Sequence, residues 1–134
     1  MDTIIALALV AISRMAENIP TETINEIYDD KNEVIGYQHG CSNTWAENQL
    51  IISTCAVYDE ITRRRRGVCR IISVDGVSFE PHILTISAEE KESENNTETL
   101  CITSVTGELG NYNDVEIIKE SLLEHVKFAF SIKD

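Results

Sequence analysis

Two groups of residues have types and spacing that could do chemistry. The first is His39-Gly40-Cys41, which puts an imidazole two positions from a thiol. At the start of a helix, backbone amide dipoles would favour the thiolate of Cys41. A nucleophilic mechanism also needs a base and an anion-stabilising donor converging on the sulfur, and no recognised spacing joins such groups here. His82 and His125 would extend the set toward a metal site only if folding brought them together. Cys41, Cys55, Cys69 and Cys101 contain no C-x-x-C pair and no zinc-knuckle spacing with histidine. The chain also lacks a Walker A loop, a G-x-G-x-x-G turn, a G-x-S-x-G elbow and an H-E-x-x-H helix. The expectation is a non-enzymatic protein with no cofactor and no metal, its cysteines buried as free thiols that behave as small hydrophobes.

The second group is basic. Arg63, Arg64, Arg65, Arg66 and Arg70 fall inside eight positions without an acid, and they are five of the chain's eleven basic residues. Outside that window, six basic residues face twenty-three acidic ones. The segregation marks the arginine segment as a candidate partner-binding surface: a solvated loop that neutralises the chain's own acids, a dock for an acidic protein segment, or a phosphate contact. A formal charge of −12 repels a nucleic-acid backbone, and no aromatic residue interleaves with the arginines for base stacking. Nucleic acid is therefore disfavoured, and a protein partner preferred.

The elements that must position these residues divide the chain in two. At 134 residues, 43 % hydrophobic and 25 % charged, it fits one domain with its own core. Residues 3–17 read as a helix apolar on most sides, buried on most sides, and too short to span a membrane. With Asp2 in place of a positive start, it reads as an uncleaved helix of a cytoplasmic protein. Thr23 and Glu26 have capping-box spacing for a second helix, although EIY-DDKN-EVIGY also reads as a hairpin with a polar turn. Thr44 and Glu47 repeat that spacing ahead of WAENQLIISTCAVYDEI, where cap and length favour helix and the β-branched run favours strand. The arginines then form an exposed corner before the first core strand.

From Gly67 the pattern changes to three antiparallel strands: GVCRIISV, then PHILTISAE after the turn signal Asp75-Gly76, then TETLCITSV. Pro81 suggests a sheet edge or a bulge, and EEKESENN a solvated loop. A helix is expected over DVEIIKESLLEH, with Ile118, Leu122 and Val126 on its inner stripe. Val126, Phe128, Phe130 and Ile132 then alternate with polar or small residues, as in a half-buried strand.

The string YQHGCSNTW carries one further signal. Tyr37-x-His39 followed by Trp45, eight positions after the tyrosine, resembles the inter-helix signature of Tctex-type dynein light chains, with Tyr37, Gln38, His39, Asn43 and Trp45 at the matching positions. The resemblance implies a helix on either side of the signature and then antiparallel strands over residues 21–132. It further implies a non-enzymatic homodimer whose sheet edge receives an extended peptide such as a dynein intermediate-chain segment.

Together these observations predict an α+β fold, an antiparallel sheet with helices packed on one face, acting as a dimeric adaptor for protein or peptide partners. The alternative is a small regulatory or host-interaction protein, a roadblock-like scaffold or an acidic chaperone whose Arg63–Arg70 segment docks an acidic partner.

Overall fold

The computed structural model of the chain describes residues 2–17, 19, 24–47, 49–74, 81–92, 98–109 and 115–131. Helix α1 (Asp2–Glu17) is followed by six strands and a closing helix α2 (Val115–Ser131). The strands are β1 (Ile24–Tyr28), β2 (Val34–Glu47), β3 (Leu50–Asp59), β4 (Arg64–Val74), β5 (Pro81–Glu92) and β6 (Glu98–Gly107). They form one antiparallel sheet in chain order, each strand bonded to the next. Such a meander needs only short connections between neighbours. The α+β class, with helices on one face, is as expected.

Alternation in β3 and β4 builds the covered face. Leu50, Ile52, Thr54 and Ala56 are buried, while Ile51, Ser53, Cys55 and Val57 point the other way. Cross-strand register carries the same face to Cys69 and Ile71 of β4, and then to Leu84, Ile86 and Ala88 of β5. Against this face α1 lays Ile4, Ala8 and Ile12. Helix α2 packs on α1 and adds Ile118 and Leu122 to the same core. As expected, α1 is apolar and packed on more than one side; its exposed stripe runs through Thr3, Ala6, Val10, Arg14 and Glu17. No helix among the described residues is long and apolar enough to cross a membrane.

Close approach of α1 requires Gly67. A Cβ there would stand 2.4 Å from Ile12 Cγ2 and 2.6 Å from the Cys55 carbonyl oxygen. The helix therefore rests directly on the backbone of β4.

Several expectations are corrected. The helix proposed from Thr23 is instead the β1–β2 hairpin, closed by Asp29, whose Oδ1 accepts the amides of Lys31 at 2.8 Å and Glu33 at 2.9 Å. Asn32, with φ of 63°, supplies the left-handed turn residue. The helix proposed from Thr44 is instead the end of β2, a turn at Gln49 (φ 67°) and β3. Its β-branched run buries every second residue, which a 3.6-residue period cannot do. The proposed terminal strand is a continuation of α2 to Ser131; Ile132 lies outside the described residues.

Pro81 lies in neither an edge strand nor a bulge. It is the first residue of the interior strand β5, opposite Val74, a position where a missing amide is tolerated. The acidic run begins inside β5, which continues to Glu92; residues 93–97 are outside the described set, as are Asp75-Gly76 and the proposed caps Asn113 and Asp114.

Candidate functional site

The arginines are not an exposed corner loop. Only Arg63 occupies the turn, at φ 57°, and Arg64, Arg65, Arg66 and Arg70 belong to β4. Strand alternation therefore divides them between two faces. Arg65 lies opposite Tyr58 on the helix side, and its Nη1 stands 3.6 Å from Oε1 of Glu90, a carboxylate with only 7 % of its side chain exposed. The Arg65 amide also donates to Glu90 Oε2 at 2.8 Å. Arg65 is thus committed internally.

The other three strand arginines lie on the face without helices. Arg64 stands opposite Asp59, and Arg66 opposite Glu89. Arg70 sits between Ser53 and Thr85, and the row continues to Thr44 and Thr106. Thr44 and Ser53 share a hydroxyl hydrogen bond of 3.1 Å. Beside that row runs an aliphatic one, Ala46, Ile51, Ile72 and Ile83. Among the described residues, the guanidinium groups of Arg66 and Arg70 make no ion pair or hydrogen bond. The uncovered face therefore combines available positive charge, hydroxyls and aliphatic side chains, and none of its described residues is aromatic.

The five signature positions all lie on β2, so the helix-flanked arrangement implied by the resemblance is replaced by a strand. Trp45 packs against the core, and its Nε1–H donates to Ser121 Oγ on α2 at 2.8 Å. This bond ties the last helix to an outer strand. Asn43 and Tyr37 are exposed, and Gln38 is half-buried. His39 Nε2 lies 2.6 Å from Glu60 Oε1, and its Nδ1 is buried without a partner among the described residues. His39, Tyr58, Arg65, Ala16, Glu17 and Ile19 line a cleft of about 260 Å³ at the C-terminal end of α1.

The helix start that would have activated Cys41 is absent. Cys41 sits within β2, so no helix dipole reaches it. Burial, with a smaller contribution from neighbouring Cys55, pushes its thiol above the ordinary range. That shift opposes formation of the thiolate. None of the four cysteines forms a disulfide; Cys69 is fully buried and the other three are half-buried. No group of three potential metal ligands converges among the described residues.

A sheet edge was expected, but the sequence pattern does not show that β2 carries it. β1 pairs with β2 only as far as Ile24 opposite His39, whereas β2 pairs with β3 from Gln38 to Glu47. Among the described residues, Gly40–Glu47 thus have a strand on one side only. The segment from Gly40 to Ala46 contains no charge and no proline, devices that usually blunt an edge. It has no bulge either, whereas the opposite edge strand, β6, is interrupted by a register shift between Ser87 and Ala88 of its neighbour. Where β1 stops, Asn25, Gly40, Ser42, Cys55 and Val57 border a depression of about 380 Å³.

Comparison of the chain with protein-family models, with curated proteins and with solved structures finds no match.

Proposed function

We propose that the protein is a non-enzymatic, dimeric adaptor that receives an extended peptide at the free edge of β2. The observation that supports it most directly is the regular, uncharged stretch Gly40–Ala46, paired on one side only among the described residues. An incoming strand collinear with β1 would satisfy the outward backbone groups, and the depression beside Gly40 and Ser42 would take one of its side chains. Main-chain pairing supplies affinity in this mode, and the alternating side chains supply selectivity. The tie between His39 and Glu60, and the raised Cys41 thiol, support a binding role over nucleophilic catalysis.

The Tyr37–Trp45 resemblance to Tctex-type light chains makes a dynein intermediate-chain segment the first peptide to test. In an antiparallel strand, successive amides point to opposite sides. Of Ser42→Pro and Asn43→Pro, the variant whose amide faces away from β3 should keep its fold and lose peptide binding, as measured by fluorescence anisotropy. Retention of binding by both folded variants would contradict strand addition.

A further inference from the structure

The β1–β2 hairpin is a finger with two unusual properties. Val34–Tyr37 precede Gln38, the first residue of β2 to pair with β3, so the finger runs past the last residue of β3, with Ile61 and the Glu60 amide of the following turn set against Gly36 and the Tyr37 carbonyl. On it, Tyr28, Val34, Ile35 and Tyr37 are 41–53 % exposed. A two-stranded hairpin is marginal by itself, and a cluster of large exposed side chains is characteristic of a surface that another protein covers.

Its tip is acidic. Asp29 is occupied by the turn amides and Glu26 by the Tyr28 hydroxyl. Asp30 and Glu33 are exposed, and their side chains make no hydrogen bond or ion pair among the described residues. The uncovered sheet face has the complementary composition: Arg66 and Arg70 without an ion pair or hydrogen bond among the described residues, with the Ile51, Ile72 and Ile83 row beside Arg70. Ile51 and Ile83 are 43 % and 42 % exposed.

We propose that the finger of one copy docks on the uncovered sheet face of a second copy. Its acidic tip meets Arg66 and Arg70, and the side of the finger that carries Ile35 and Tyr37 meets the isoleucine row. Reciprocal placement gives a two-fold dimer in which each copy contributes both surfaces, and the contact then occurs twice. Both halves of the interface are present on one chain, which favours a second copy over an unrelated acidic partner. The inference deepens the dimeric part of the proposed function and leaves strand addition at β2 untouched.

Charge exchange tests it. Light scattering at about 100 μM, where a micromolar contact is largely saturated, should give a mass above that of the monomer. The double variants Arg66→Glu/Arg70→Glu and Asp30→Arg/Glu33→Arg should each weaken self-association at least about tenfold. All four side chains are exposed, so circular dichroism should be unchanged. An equimolar mixture of the two variants should associate again, because one complementary contact is restored with its signs reversed. A monomeric wild type, undiminished association of either variant, or a mixture that stays separate would each overturn the proposal. Peptide protection of β2 amides in the charge-reversed monomers separates failure of this interface from failure of the edge site.

Discussion

At the scale of single residues, burial has decided which groups are available for chemistry. Burial raises the Cys69 thiol from 9.0 to about 11, offset in part by the Thr54 hydroxyl, which donates to its sulfur at 3.5 Å. Because the folded value lies above the unfolded one, the native state is favoured fully below about pH 9. That contribution is lost as pH rises toward 11, and the gap corresponds to at most about 3 kcal/mol. Urea unfolding should therefore show a decline in stability between about pH 9 and 11 that Cys69→Ala flattens; an identical slope in the variant would contradict this assignment. Trp45 offers a second test. Ser121→Ala removes the acceptor of its indole N–H and should cost about 1 kcal/mol, read as a lower urea midpoint with the slope unchanged.

The elements show where sequence patterns were informative. α1, the first part of α2 and the strands from Gly67 onward were legible because apolar residues recur with one period over each span, whereas the alternation of Val126, Phe128 and Phe130 reads as a strand inside what is helix. β3 was less so, since IISTCAV contains the period-2 pattern but follows a capping-box spacing at Thr44 and Glu47 that here has no helix to cap. β2 was illegible for a physical reason: much of it is exposed, so Gln38, Ser42, Asn43 and Thr44 break any hydrophobic alternation. Its free edge depends on where β1 ends, a long-range register that composition does not encode. The arginine run concealed its own strand, because Arg64, Arg65 and Arg66 suppress the apolar signal while alternating between two faces. The backbone contact of α1 gives a test at this scale. Gly67→Ala places a methyl between Ile12 and the Cys55 carbonyl and should destabilise by about 1–3 kcal/mol; an unchanged melting temperature would contradict the tight helix–sheet seat. Gly107 should be similarly intolerant, because its φ is 80° and an added Cβ would collide with the Ile83 carbonyl oxygen.

Among the described residues, the molecule presents a sheet with one face covered by helices, one face open, and a long strand half-paired at its margin. Its net charge of −12 opposes compaction through self-repulsion. Moderate salt should therefore raise the melting temperature by screening, as calorimetry would show; a fall would assign more weight to local pairs such as Arg65–Glu90. We propose binding at two distinct surfaces, the β2 edge for an extended segment and the open face for a second copy. Hydrogen exchange with bound intermediate-chain peptide tests the edge assignment most directly. New protection is expected at alternate amides within Gly40–Ala46, those not already bonded to β3. Peptide binding that leaves these amides unprotected, or absence of binding at millimolar peptide, would contradict it.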